Sequence, residues 1–148
     1  MAIALTQTGW DDVDGPVWAD RALADGVVFL LQESMGDPVV PNQGTSVLAT
    51  ALGAKLVGPA LEPIVGLEEV DEVVQAVGLT QYRVPDTGVY DVHGFAARNT
   101  PAGLAAMEQI FIFIRSAWDE GAARISFPEG CAEVTPDGTC DFSEMWSE

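Results

Sequence analysis

The sequence predicts a single α+β domain over residues 1–148, with about four helices, two β-hairpins and one central, highly apolar helix over residues 101–118. The chain has 148 residues, of which 48% are hydrophobic, and this length suits one core rather than two domains. Two Pro-Asp segments that end in Gly88 and Gly138 lie between β-prone runs, as hairpin turns do. Strands and helices alternate too irregularly for a doubly wound sheet.

The first half of the chain contains three predicted helices after a short strand over residues 2–5. The first helix starts at Asp14 or Gly15, because Pro16 suits the first helical position and the preceding carboxylates face the positive end of the helix dipole. Each of these helices is expected to end at a glycine, which in the second case is followed directly by proline. The three helices are expected over residues 14–35, 45–57 and 67–77.

The second half contains the central helix, both hairpins and one further strand. Thr100-Pro101 is a typical helix start. Large apolar residues then recur at 3–4 spacing on one face, and others occupy the remaining faces, so the helix lies in the core or against another subunit. The competing interpretation is a strand, since the run 110–114 is strongly β-prone. The first hairpin is expected to pair residues 80–84 with 89–95, and the second to pair residues 132–134 with 139–142. The further strand is expected over residues 124–127.

The charge of the chain is strongly negative, with 23 Asp and Glu against 6 Lys and Arg and a net charge of −17. Nucleic-acid binding is excluded on this ground, because affinity for phosphates comes largely from Lys and Arg. An anionic membrane surface would repel the protein for the same reason. The composition, with Lys55 as the only lysine, fits a GC-rich genome, a salt-adapted proteome or both.

No secretory signal peptide is predicted, because the N-terminus has no basic region followed by a long apolar run. We therefore expect the protein in the cytoplasm, or within a virus particle assembled there. Two cysteines, Cys131 and Cys140, do not make a disulfide framework. A bridge across the second predicted hairpin would be geometrically demanding, so we expect two separate buried thiols.

His93 is the only histidine, and Asp91 shares a face with it on the predicted strand. This pair can bind a metal or act as acid and base, but no third ligand is indicated by spacing. Asp11, Asp12 and Asp14 resemble part of a calcium loop without its full register, and helix capping accounts for them. No nucleophile motif or phosphate loop is present. From the sequence we therefore expect a protein that is not an enzyme and that binds neither a cofactor nor a metal ion.

Two acidic segments are candidate docking surfaces. The block 68–72 is either the solvated face of the third helix or a patch for a basic protein partner. The tail, residues 141–148, places aromatic side chains among acidic ones, and either docks on a partner or packs back on its own domain. The residues concerned are Glu68, Glu69, Asp71 and Glu72 in the block, and Phe142 and Trp146 in the tail.

The chain has many apolar residues, including a helix that is apolar on most faces, and no recognisable group of catalytic residues. These features favour a non-enzymatic structural or assembly subunit of a larger homo- or hetero-oligomer. A virion protein of the head-decoration, neck or tail type, from a GC-rich or halophilic host, fits these features. The alternatives are a small acidic protein that blocks a basic partner, as immunity and anti-defence proteins do, and a small enzyme that uses His93 with nearby carboxylates. The expected partners are copies of the chain and neighbouring subunits, contacted in part through Phe111, Phe113, Ile114 and Trp118.

Overall fold

The computed structural model describes residues 14–86 and 88–145, except for the side chains of Val89 and Tyr90. The strands are β1 Leu30–Ser34, β2 Lys55–Val57, β3 Glu69–Val70, β4 Glu72–Val74, β5 Gly78–Tyr82 and β6 Arg124–Ser126. The α-helices are α1 Ala19–Ala24, α2 Asn42–Ala51, α3 Val89–His93, α4 Pro101–Asp119 and α5 Glu129–Val134. Single 3-10 turns cover Gly15–Trp18 and Phe95–Ala97.

A parallel sheet in the order β1-β5-β2-β3 forms the centre of the fold, and β4 pairs with β6 in a separate antiparallel ladder. The predicted mixture of helices and strands is confirmed, but the argument against a sheet wound on both faces is wrong. On one face, Leu52 of the segment after α2 packs with Leu79 of β5. On the opposite face, Tyr82 of β5 packs with Ala105 of α4. Helices therefore cover both faces of one parallel sheet.

The first predicted helix is wrong over its second half. α1 ends in a Schellman motif, in which the amide of Val27 donates to the carbonyl of Ala22 at 3.0 Å and Gly26 has a φ of 75°. The last two residues of the apolar run that follows, Leu30 and Leu31, begin β1, and the polar residues 32–34 complete it. A parallel strand covered on both faces is apolar without alternation, so this run has no strand periodicity to separate it from a buried helix.

The second predicted helix is confirmed as α2, although it both begins and ends earlier than the predicted range 45–57. Gly53 has a φ of 62°, and the amide of Ala54 donates to the carbonyl of Ala49 at 2.9 Å, which again closes a Schellman motif. Residues 55–57 then form β2. The third predicted helix, over 67–77, is wrong, because its valine-rich residues form β3 and β4.

The central helix is confirmed as α4. Oγ1 of Thr100 accepts a hydrogen bond from the amide of Gly103 at 3.1 Å, and Pro101 occupies the first turn. The expectation of core burial holds for one face of α4 only. That buried face carries small and polar side chains: Ala102, Gly103, Ala105, Ala106, Gln109 and Ser116.

Neither predicted hairpin occurs in the described part of the chain. β5 matches the first arm of the first hairpin, but parallel strands lie on both of its sides, and residues 89–93 form α3 instead of the second arm. The strand over 124–127 is confirmed as β6. The second hairpin is replaced by α5 and a turn that the Cys131–Cys140 disulfide closes. The expectation of two separate thiols is therefore wrong.

Some predictions lie outside the described residues. They are the strand over 2–5, the acidic residues Asp11 and Asp12, and Trp146. Within the described residues, no helix combines the length and the apolarity that crossing a membrane requires.

Candidate functional site

A continuous row of large apolar side chains covers the solvent-facing side of α4. We call this row the α4 face; it consists of Leu104, Met107, Phe111, Ile114 and Trp118, with exposed fractions between 50% and 87%. A groove of about 330 Å³ runs along it. Soluble monomers rarely expose apolar patches of this extent. The α4 face is therefore a candidate interaction surface.

The structure separates the residues of the predicted interface. Phe111, Ile114 and Trp118 lie on the α4 face. Phe113 turns inward and packs against a core cluster that includes Ile125. Phe142, in the predicted docking tail, is fully buried against the α4 side of the sheet. The tail therefore packs on its own chain as far as residue 142.

The acidic block 68–72 lies at the edge of the sheet rather than on a helix. Nζ of Lys55 lies 2.6 Å from Oε2 of Glu68, and Nη1 of Arg124 lies 2.8 Å from Oε1 of Glu72. Both pairs neutralise part of the charge that a basic partner would contact. The four acidic residues are all exposed: Glu68, Glu69, Asp71 and Glu72.

A polar crevice opens at the carboxyl ends of β1 and β5. After β1 the chain passes to α2 on one face of the sheet, whereas after β5 it passes to α4 on the other face. Where neighbouring parallel strands diverge in this way, open α/β sheets bind their ligands. The cavity here is about 160 Å³ in volume, and we call it the β1–β5 crevice. Its lining includes Glu33, Ser34, Asp37, Asn42, His93 and Phe95.

His93 forms its carboxylate contact with Asp37, a residue of the loop after β1. Nδ1 of His93 lies 2.8 Å from Oδ2 of Asp37, and Oδ1 of Asp37 accepts hydrogen bonds from the amides of Val39 and Val40. Burial opposes the ionisation of Asp37, but these contacts hold the pKa of its carboxyl group below its usual range. The ionised Asp37 orients the imidazole and leaves Nε2 directed away from the carboxylate.

The predicted pair of Asp91 and His93 is not formed. Both residues lie on α3, where positions two apart do not share a face. Asp91 instead pairs with Arg98, at 3.0 Å between Oδ1 and Nη2. These two residues line a neighbouring cavity of about 400 Å³, which shares Phe95 with the β1–β5 crevice.

Glu33 and Ser34 are the buried polar groups of the crevice. Glu33 is 3% exposed, and its Oε2 accepts a hydrogen bond from Nε2 of Gln81 at 3.0 Å. Its Oε1 and the Oγ of Ser34 have no hydrogen-bond partner. Burial raises the pKa of Glu33, and the amides of Gln81 and Asn42 offset part of that rise. Each unpaired buried polar group costs about 1–3 kcal/mol.

Sequence reasoning missed Asp37, Glu33 and Ser34. The only local signal for Glu33 and Ser34 is that they follow the apolar run 27–31 after Gln32, at the end of a strand that was predicted as a helix. The Asp37–His93 contact joins residues 56 positions apart, and no spacing rule connects them.

Ser34, His93 and Asp37 are the residue types of a hydrolytic triad, but the two backbone amides that follow Ser34 are already hydrogen-bonded. The amide of Met35 donates to the carbonyl of Tyr82 at 2.7 Å, and the amide of Gly36 donates to Oδ1 of Asn42 at 2.9 Å. Neither amide that follows Ser34 is therefore available to stabilise an oxyanion.

Among the described residues, no group of three or more His, Cys, Asp or Glu side chains is placed to hold a metal ion. In comparisons with known proteins, no family model matches this chain, and neither a curated protein nor a solved structure matches it.

Proposed function

We propose that the protein is an assembly subunit whose α4 face pairs with the α4 face of a second copy. One observation carries the proposal, the row of exposed large apolar side chains on α4, the longest of the described helices. Trp118 alone is 87% exposed, and burying an aromatic side chain of this size contributes strongly to association. A surface of this kind is stabilised when another subunit covers it.

The spacing of the row favours a second helix as the occupant. Its members alternate three and four positions apart, which is the spacing of the seam between two paired helices. The row is nearly symmetric about Phe111, since Leu104 and Trp118 each lie seven positions from it, whereas Met107 and Ile114 lie four and three positions from it. In an antiparallel pair related by a twofold axis at Phe111, that ring meets its own copy, Leu104 lies level with Trp118, and Met107 lies within one residue of the level of Ile114. Each of these layers then joins large apolar side chains.

Charges beside the row favour a second copy over an unrelated partner. Arg115 lies over the ring of Phe111, 5.9 Å from its centroid, and borders the α4 face. Glu108 lies seven residues, or about two turns, before Arg115 on the same flank of the helix. A twofold antiparallel pair places equal flanks of the two helices together, so that Arg115 of each copy faces Glu108 of the other. Opposite charges at these positions stabilise the pairing.

Light scattering coupled to size-exclusion chromatography tests the proposal. The wild-type protein is expected at twice its chain mass of 15.7 kDa, and Phe111→Glu is expected at the monomer mass with an unchanged circular dichroism spectrum. Val47→Glu is the matched control, because Val47 is 58% exposed on α2, close to the 60% of Phe111. This control should remain dimeric.

Two outcomes would overturn the proposal. One is a wild-type monomer at both low and molar salt. The other is a folded Phe111→Glu protein that keeps the wild-type mass. Assembly in a virion remains a prediction of the sequence, and no described residue bears on it.

A further inference from the structure

We propose that the cavity between α3 and the start of α4 binds a zwitterionic α-amino acid with a large apolar side chain. We call it the Asp91–Arg98 cavity. Its volume is about 400 Å³, within the range of small-molecule sites. The chain that leaves β5, α3 and the first turn of α4 form its walls. The cavity therefore lies beyond the carboxyl end of an interior strand of the parallel sheet, where open α/β sheets bind ligands.

The cavity presents one negative and one positive charge where it opens to solvent. Oδ1 of Asp91 lies 3.0 Å from Nη2 of Arg98, and the two side chains are 45% and 47% exposed. They are the only charged side chains among the described residues that line the cavity. A guanidinium has five N–H donors and a carboxylate accepts about four hydrogen bonds, so this contact between them uses only part of the capacity of each group.

The wall of the cavity below this ion pair is mainly apolar. Its apolar residues are Val84, Pro85, Phe95 and Ala102. Phe95 is only 4% exposed, and its ring lies 4.9 Å from the ring of Tyr82 in the core. Phe95 is therefore a fixed aromatic surface. Such a wall suits an apolar side chain, and an aromatic ring on the ligand gains a further contact with Phe95.

A ligand that carries both charges suits the cavity better than a simple anion or cation. A lone anion competes with Asp91 for Arg98, and a lone cation competes with Arg98 for Asp91. The carboxylate of an amino acid instead binds Arg98 while its ammonium group binds Asp91, so each residue keeps an opposite charge beside it. The net charge of −17 repels a simple anion, but it acts in opposite directions on the two charges of a zwitterion.

The start of α4 favours one orientation of this ligand. Thr100 and Ala102, in the cap and the first turn of α4, line the cavity on the side of Arg98. The positive end of the helix dipole stabilises a carboxylate at this position. The ligand carboxylate therefore lies towards α4, and its ammonium group lies towards α3.

The backbone that carries the ion pair is held in place without a ligand. The amide of Arg98 donates to the carbonyl of Phe95 at 3.0 Å, and the amide of Asp91 donates to the carbonyl of Gly88 at 2.9 Å. A Cβ atom at Gly103 would lie 2.0 Å from the carbonyl oxygen of Arg98, so the chain at Arg98 packs directly on α4. Binding at such a preformed site costs little conformational entropy.

The volume of the cavity limits the size of the ligand. A water molecule occupies about 30 Å³ in the liquid, so a cavity of about 400 Å³ has the volume of about thirteen waters. About as many non-hydrogen atoms fit this space, which is the size of phenylalanine. A nucleotide or a peptide of several residues is larger than the cavity.

The experiment uses L-phenylalanine as the probe, followed by ¹H–¹⁵N NMR of the full chain at constant ionic strength. Saturable shifts are expected at the amides of Asp91, Phe95 and Arg98. Phenethylammonium keeps the ring and the ammonium group, hydrocinnamate keeps the ring and the carboxylate, and glycine keeps both charges without the ring. Each of these should bind at least about tenfold more weakly than phenylalanine, because each lacks one of the three contacts.

Two variants test the ion pair directly. Arg98→Gln and Asp91→Asn each remove one charge and should each weaken phenylalanine binding by about tenfold. Both proteins should fold, because an exposed ion pair contributes little to stability. Arg21→Gln is the matched control, since Arg21 also pairs with an aspartate, Asp25, but lies outside the cavity. This control should change the dissociation constant by less than about twofold.

Three results would overturn the proposal. The first is the absence of saturable shifts in the wild-type protein up to about 50 mM phenylalanine. The second is binding of phenethylammonium, hydrocinnamate or glycine as tight as that of phenylalanine. The third is wild-type affinity in both Arg98→Gln and Asp91→Asn. These readouts do not depend on pairing through the α4 face, so a monomeric protein can still confirm the amino-acid site.

Discussion

Gln109, in the middle of α4, donates from Nε2 to Oγ1 of Thr80 in β5 at a distance of 2.8 Å. The same nitrogen reaches the carbonyl of Ser126 at 2.9 Å, while its Oε1 accepts from Nε2 of Gln32 and from the hydroxyl of Tyr82. One fully buried amide thus joins α4 to β1, β5 and β6. Because the rest of the buried face of α4 is mostly small residues, this amide fixes the rotation of the helix and hence the direction of the α4 face.

Gln109→Met should lower the free energy of unfolding by about 2–4 kcal/mol, because it leaves several buried donors and acceptors unpaired while it keeps the side-chain volume. Urea unfolding measures the change. Gln43→Met is the control, since Gln43 is exposed on α2 and its replacement should alter stability by less than about 0.5 kcal/mol. Equal effects of the two substitutions would show that the buried network does not hold α4 to the sheet.

Gly103→Ala should destabilise the start of α4. A Cβ atom at Gly103 would lie 2.0 Å from the carbonyl oxygen of Arg98 and 2.8 Å from that of Phe95. Both contacts are with backbone, so the chain must shift, at a cost of about 1–3 kcal/mol or more. Thermal unfolding is the measurement.

Gly44→Ala is the matched control for that substitution. Gly44 also lies in a helix, α2, and a Cβ there meets nothing within 4 Å. Alanine should therefore stabilise α2 by up to about 1 kcal/mol, because glycine costs more conformational entropy in a helix. A shift of the same sign in both variants would contradict the assignment of a backbone clash at Gly103.

How much of the fold follows from the sequence depends on how local the determining contacts are. Thr100 and Pro101 set the start of α4 through contacts within one turn, so α4 could be predicted with its bounds. Leu30 and Leu31 were predicted in a helix but lie in β1, because an apolar run fits a buried helix and a buried parallel strand equally well. Only pairing with β5 distinguishes them, and parallel partners lie far away in the chain.

The candidate sites also divide into features set by local contacts, which could be predicted, and features set by distant contacts, which could not. The α4 face could be predicted as an apolar surplus, because its residues repeat within a single helix. Which side of α4 faces solvent could not be predicted, since Gln109 and its distant partners determine it. The β1–β5 crevice could not be predicted either. Its position depends on the order of the strands in the sheet, and the partner of His93 is 56 residues earlier in the chain.

Replacing both cysteines with serine, Cys131→Ser with Cys140→Ser, should lower stability by about 2–3 kcal/mol, the loop-closure value for a bridge across a short loop. The bridge lies in the core beside Phe142. Urea unfolding with and without dithiothreitol measures the effect. Reductant should destabilise the wild type and leave the double variant unchanged; equal sensitivity of both proteins would contradict a structural disulfide.

Asp37→Asn should destabilise the protein by about 1–2 kcal/mol at neutral pH, because it weakens the contact with His93 and two amide hydrogen bonds to a charged oxygen. The pKa of Asp37 is lowered on folding. Its stabilisation is therefore present above about pH 4, the ordinary range of an aspartate, and is lost as pH falls through the folded-state value. Urea unfolding at several pH values should show the two proteins converging in acid. A difference that does not change with pH would contradict this assignment.

Glu33→Gln should have the opposite effect. Because burial raises the pKa of Glu33, its ionised form destabilises the folded state, and wild-type stability falls as pH rises from about 4.3 through the folded-state value. The glutamine variant should be more stable than the wild type at neutral pH, with no difference in acid. Such a result would show that this carboxylate is kept at a cost to the stability of the fold. A variant less stable at every pH would show that the carboxylate serves the fold itself.

The salt dependence of self-association distinguishes the α4 pairing from docking of an acidic surface on a basic partner. Each chain carries a net charge of −17, so two copies repel each other at low salt, and the apolar contact must overcome that repulsion. Raising NaCl from about 0.05 M to about 1 M shortens the Debye length from about 14 Å to about 3 Å and removes most of the repulsion. The dimer dissociation constant from sedimentation equilibrium should therefore fall with salt. An association that weakens with salt would contradict the α4 pairing, because attraction between opposite charges is what salt screens.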